Sequence, residues 1–92
     1  MQDFYVYILK CSDGSYYTGH TDQLEKRIAE HNIKQFDGYT AARLPFEVVF
    51  VQPFATRNEA FNVERQIKGW SRKKKEALIN GNWTKLTQLS NE

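Results

Sequence analysis

The segment EAFNVERQIK puts a carboxylate where packing alone would put a hydrocarbon. Residues 60, 63, 64 and 67 superpose on one helical face, and Ala60, Val63 and Ile67 are apolar while the fourth is Glu64. A carboxylate buried without a partner costs several kcal/mol, so Glu64 either pairs with a lysine or arginine at the core boundary or holds a cation. A second group lies in LEKRIAEHN, where Leu24, Arg27, Ile28 and His31 are helical neighbours. Arg27 offers a planar fork suited to phosphate oxygens, and His31 can take or give a proton near neutral pH. Their plainer roles are a surface ion pair and a charge that suits a helix end. The third group is FYVYILKCSDGSYYTGH, with Tyr5, Tyr7, Tyr16 and Tyr17. A free phenol ionises at about pH 10, so a tyrosine acting as a base needs a cation or a relay beside it. Phenols, a guanidinium, an imidazole and one carboxylate suit phosphodiester hydrolysis assisted by one divalent metal.

The elements that must position these groups follow from local pattern. Phe4 to Leu9 and Ser15 to His20 read as strands joined through Asp13-Gly14. Side-chain parity ties the loop length to the faces of the strands. A two-residue turn would place Tyr7 and Tyr17 on opposite faces, whereas a three-residue loop, Ser12-Asp13-Gly14 with Gly14 at positive φ, pairs Tyr7 with Gly19 and Tyr17 with Leu9. Asp22 and Glu25 form a capping box for a helix to about Asn32. The segment Ile33 to Pro45 reads as a functional loop. The apolar run Phe46 to Phe54 suggests a central strand buried on both faces, ended by Pro53. Thr56 with Glu59 caps a helix to about Gly69 or Trp70, and Ser71 caps another that Gly81 stops. From Asn82 an irregular tail is expected, with Trp83 folded back. The order predicts an α+β domain over 1–82: a small, mainly antiparallel three-stranded sheet with about three helices, then a tail over 83–92.

A chain of 92 residues supports one compact domain. Its net charge of +2 does not demand an anionic partner. Arg65, Lys68, Arg72, Lys73, Lys74 and Lys75 nevertheless fall close together, as a solvated helix face or a phosphate-binding surface. The single cysteine, Cys11, excludes an intrachain disulfide and a cysteine zinc site. With no leader pattern and no membrane-length apolar run, the expected setting is reducing and cytoplasmic, with no membrane partner.

In their order and spacing these residues resemble the GIY-YIG nuclease superfamily, from Tyr5 to about Ile79. YVY at Tyr5-Val6-Tyr7 matches the first half of its motif and YTG at Tyr17-Thr18-Gly19 the second. Arg27 and His31 match the family's helix arginine and histidine, and Glu64 its metal-binding glutamate. YTAARLPFEVVF and IKGWSRKKK resemble the small single-domain bacterial branch and the catalytic domain of nucleases that cut branched DNA. Tyr5 and Val6 replace the family's glycine and isoleucine, Thr18 replaces an isoleucine, and the family's late asparagine has no match. The resemblance implies that Tyr7 and Tyr17 share one site, which parity allows with the three-residue loop, Gly19 leaving space above Tyr7 for substrate. It also implies that Tyr7 or Tyr17 helps deprotonate the attacking water, that Arg27 stabilises the pentacovalent phosphate and that His31 donates to the phosphate or assists proton transfer. Glu64 would hold one Mg²⁺ or Mn²⁺. Gly19 and the basic residues from Arg65 to Lys75 would meet the nucleic acid, DNA in preference to RNA, and a protein partner could supply targeting. Tyr5 and Tyr16 are left as packing or wall residues. Two rivals to an endonuclease remain at this stage: a nucleic-acid-binding module that cuts poorly by itself, and a protein-interaction domain with an aromatic patch.

Overall fold

The computed structural model describes residues 3–32 and 46–90. They form β1 (Phe4–Cys11), β2 (Tyr16–Thr21), α1 (Leu24–Asn32), β3 (Phe46–Phe54), α2 (Arg57–Lys68), α3 (Arg72–Ile79) and α4 (Trp83–Ser90). The sheet is antiparallel in the order β2-β1-β3, an α+β fold. The loop expected over 33–45 lies outside the described residues.

The hairpin follows the parity argument. Cys11 N–H donates to the Ser15 carbonyl at 2.8 Å and Gly14 N–H to the Cys11 carbonyl at 2.9 Å, leaving Ser12-Asp13-Gly14 as the loop. Gly14 has φ of 84°, a backbone shape that a side chain would strain. Tyr7 pairs with Gly19 and Leu9 with Tyr17, so both catalytic candidates rise from one sheet face.

The other face carries the core. Val6 and Ile8 of β1 pack with Ala60 and Ile67 of α2 and Leu78 of α3. Helix α2 begins as its sequence dictates, with the Thr56 hydroxyl accepting from Glu59 N–H. Ser71 does the same for Lys74 N–H in α3, and Gly81, at φ of 68°, follows that helix. Cys11 is a buried packing residue. No helix among the described residues is long and apolar enough to cross a membrane.

Three expectations need correction. Strand β3 is an edge strand, not the central one; β1 lies between its two neighbours. Its apolar run has a different cause. A register shift opposite Ile8 and Leu9 lets both Val49 and Phe50 pack against the core, while Val48 and Val51 on the far side remain 37% and 40% exposed. The C-terminal segment is helical rather than irregular. Asn82 Oδ1 accepts from Lys85 N–H at 3.1 Å and Leu86 packs on the core, whereas Trp83 stays 62% exposed and does not fold back. Helix α1 starts at Leu24, one residue later than an Asp22 cap implies; the Gln23 carbonyl accepts from Arg27 N–H at 2.9 Å, and Asp22 pairs with Arg57 at 3.3 Å.

Candidate active site

The site forms around β2, an edge strand. Tyr7 starts from the central strand, and its ring passes over Gly19, which has no side chain to stop it. The phenol is thereby carried across β2 while the residue stays buried. Tyr17, two positions earlier on β2, holds its ring 6.4 Å from that of Tyr7, tilted by 35°. Gly19 is therefore the floor under Tyr7. The space expected for substrate is filled by the ring itself, and Gly19 is buried beneath it.

The electrostatics of Tyr7 place its neighbours. Burial pushes its pKa well above the ordinary phenol value; the phenol of Tyr17 and the carboxylates of Glu64 and Glu30 push the same way, while the Arg27 guanidinium opposes them. One phenol thus feels the charges of Arg27 and Glu64 as well as the Tyr17 phenol. The His31 side chain lies outside the described residues. Glu30, which sequence reasoning missed, lines an open cleft with Thr21, Asp22, Gln23, Lys26 and Arg27.

This raised pKa has a measurable consequence for stability. Above about pH 10 an unfolded Tyr7 releases its proton while the folded one keeps it, so stability present below pH 10 is lost as pH rises. Each such pH unit costs about 1.4 kcal/mol. Urea unfolding between pH 9 and 12 should show a shallower alkaline loss in Tyr7→Phe than in the parent. Equal slopes would mean that Tyr7 ionises as freely folded as unfolded.

Glu64 reaches the same strand edge from the opposite face. It is buried in α2, and its Oε1 lies 2.9 Å from His20 Nδ1 while its Oε2 lies 3.5 Å from Lys68 Nζ. His20 is the second residue that sequence reasoning missed. The signal was present: with the three-residue loop, parity puts His20 opposite Val6, on the face that α2 covers.

The basic residues divide. Lys68 sits beside Glu64, and Arg65 lies over the Phe61 ring at 5.6 Å. Arg72 is engaged internally: Nη1 donates to the Gly14 carbonyl at 2.7 Å, the guanidinium covers Tyr16 at 4.8 Å and Nε lies 3.5 Å from Glu76. Lys74 stacks on Trp70 at 4.2 Å. Arg72 and Lys74 therefore have structural work in fastening α3, which charge pattern alone did not reveal. Lys73 and Lys75 belong to the same helix. Tyr16, whose hydroxyl donates to Glu76 at 3.2 Å, is a wall residue, and Tyr5 lines a groove beside the start of α1.

Comparison with known proteins agrees with this geometry. The sequence model of the GIY-YIG catalytic domain matches residues 3–77. The chain belongs to the GIY-YIG family. Its domain is that of a nuclease superfamily. Among its relatives, a UPF0213 protein of Bacillus pumilus is 47% identical over 75 residues, covering 82% of this chain and 76% of that protein. The solution NMR structure of the UPF0213 protein BH0048 from Bacillus halodurans has a TM-score of 0.58 at 41% identity, over 96% of this chain and 97% of that one. The solution NMR structure of EF2693 from E. faecalis has a TM-score of 0.63 at 35% identity, over 91% and 90%.

The donor set around Glu64 can be tested against a divalent ion. No group of three or more histidine, cysteine or acidic side chains gathers among the described residues. A lone carboxylate at the mouth of a site suits a hard octahedral cation that keeps water and takes phosphate oxygens for its remaining positions. Glu64 fits that role.

Proposed function

We propose that this GIY-YIG domain is a metal-dependent endonuclease that hydrolyses phosphodiester bonds of DNA, with branched or otherwise structured DNA as its substrate class. The observation that carries the reading is the buried Tyr7 phenol, with the Tyr17 ring 6.4 Å away and both the Arg27 guanidinium and the Glu64 carboxylate within electrostatic reach. Glu64 would hold Mg²⁺ or Mn²⁺, and the ion would neutralise charge on the phosphate and the leaving oxygen. Arg27 binds the scissile phosphate and offsets the charge that builds on it. Tyr7, whose burial keeps its proton in place, orients the attacking water by donating a hydrogen bond. Tyr17 is only half-buried and is the phenol that exchanges a proton with that water. On α2, Arg65 follows the carboxylate directly and Lys68 lies one helical turn beyond it, and both present positive charge to the flanking backbone.

A second reading has its own support. Both oxygens of Glu64 already have partners, His20 and Lys68, which is what a binding module with little intrinsic activity would show. A nuclease assay over linear, branched and single-stranded DNA and the matching RNAs separates the two. The endonuclease reading expects cleavage of structured DNA that requires Mg²⁺ or Mn²⁺. Binding without cleavage under every metal would leave the module.

A further inference from the structure

We propose that His20 is a second protein ligand at the Glu64 metal site, giving the site a preference for a cation that accepts nitrogen as well as oxygen, Mn²⁺ over Mg²⁺. The proposal rests on the metal-holding role of Glu64 stated above and assigns the partner that completes it.

The geometry begins with the strand. His20 follows Gly19 on edge strand β2 and shares the face of Val6, under α2. Its ring is held by packing as well as by Glu64: it meets Phe61 edge-on, with centroids 5.6 Å apart and planes at 65°, and Arg65 covers that phenylalanine at 5.6 Å. Nδ1 lies 2.9 Å from Glu64 Oε1. A ring nitrogen and a carboxylate oxygen both carry lone pairs, so this approach is attractive only with a positive centre between or beside them: a proton on Nδ1, or a metal ion. Two ligands about 2.1 Å from one ion and at right angles are about 3 Å apart, the edge of an octahedron. The pair therefore has the separation of adjacent ligands.

Access and competing charge also agree. The side chains of His20 and Glu64 are 20% and 10% exposed, enough for an ion to arrive from solvent. Lys68 approaches the other oxygen, Oε2, at 3.5 Å, on a side chain that is 52% exposed and free to swing away. Carboxylate and water alone suit Mg²⁺ and Mn²⁺ alike, whereas an imidazole nitrogen favours the transition metal. A histidine at this position thus shifts selectivity without changing the chemistry that the ion supplies.

The rival is that His20 only positions Glu64, by donating its Nδ1 proton to Oε1. Pulsed electron paramagnetic resonance of the full chain loaded with Mn²⁺ reads the difference directly. A bonded imidazole gives a nitrogen-14 coupling in the parent protein, with no variant needed. Calorimetric titration of Mn²⁺ and of Mg²⁺ into the parent, His20→Phe and Glu64→Gln supplies the second reading. In His20→Phe the nitrogen coupling should vanish, Mn²⁺ affinity should fall about tenfold or more, and Mg²⁺ affinity should stay within about twofold. Absence of the coupling in the parent, or an equal loss for both ions, overturns the proposal. If Glu64→Gln abolishes Mn²⁺ binding and His20→Phe does not weaken it, His20 is not a ligand while Glu64 keeps its role. If Glu64→Gln binds Mn²⁺ as the parent does, the metal site itself is misassigned, and the proposal fails with it.

Discussion

Replacing Glu64 by glutamine should reduce cleavage by about 100-fold or more while leaving the fold in place, the size of loss typical when one preorganised electrostatic group is removed. The substitution is nearly isosteric, and the amide can pair with His20 Nδ1 in either tautomer of the ring, through its oxygen or its NH₂, so the buried contact at 2.9 Å survives. The pairing with Lys68 is lost, but that lysine is largely exposed and such a pair contributes about 1 kcal/mol at most. What changes is the charge: an amide is a poor ligand for a hard divalent cation. Stability therefore barely moves while turnover collapses. DNA binding measured without metal should hold or tighten, because a negative charge facing phosphate has gone. Single-turnover rates at saturating Mg²⁺ and Mn²⁺, with a urea melt of the same preparation, check both halves. A variant that cuts at the parental rate would strip Glu64 of its catalytic role and leave the domain as a binding module.

The features legible in the sequence were those fixed by neighbours in the chain. Thr56 and Ser71 cap their helices because the hydroxyl and its backbone target are three residues apart. The hairpin loop followed from parity, since a single residue more or less would invert every side chain of β2. Where distant parts of the chain decide, the sequence was ambiguous. A run of valines and phenylalanines reads equally as a strand buried on both faces and as an edge strand whose bulge turns two successive residues inward, and β3 is the second. Gly81 announced a stop so strongly that the Asn82 cap and the apolar pair Trp83 and Leu86 just after it were passed over. In the site, Arg27 and Glu64 were legible as candidates from residue type and spacing, and Tyr7 and Tyr17 from the family resemblance. His20 and Glu30 were not, because each matters through a partner from another element: Glu64 for His20, the Tyr7 phenol for Glu30. The basic run is ambiguous in a similar way. Six cations close in sequence look like one surface, yet Arg72 and Lys74 are held by the hairpin and by Trp70.

Gly19→Ala should damage both stability and cleavage, and by a route that conformational preference does not provide. Among the described residues the positive-φ glycines are Gly14 and Gly81; Gly19 lies in a regular strand, where alanine is at ease. Space is the difficulty. A methyl group there would lie 2.5 Å from Tyr7 Oη, 2.7 Å from Cζ and 3.2 Å from Cε1. An exposed lysine end could swing clear of such a contact. Tyr7 cannot easily do so, being a rigid ring only 1% exposed, so either the ring tips off β2 or the two strands part. Overpacking of this kind costs about 1–3 kcal/mol. The catalytic loss should be larger, since a displacement of about 1 Å in a positioned group can cost about 100-fold. A double-mutant cycle with Tyr7→Phe separates the two effects. Removing the hydroxyl deletes the closest contact, so Gly19→Ala should destabilise the Tyr7→Phe variant less than it destabilises the parent. Cleavage, already lowered by loss of the phenol, should fall little further when alanine is added. If instead Gly19→Ala leaves both the urea midpoint and the cleavage rate at parental values, the Tyr7 ring is not held over Gly19, and the convergence on which the active site rests loses its central member.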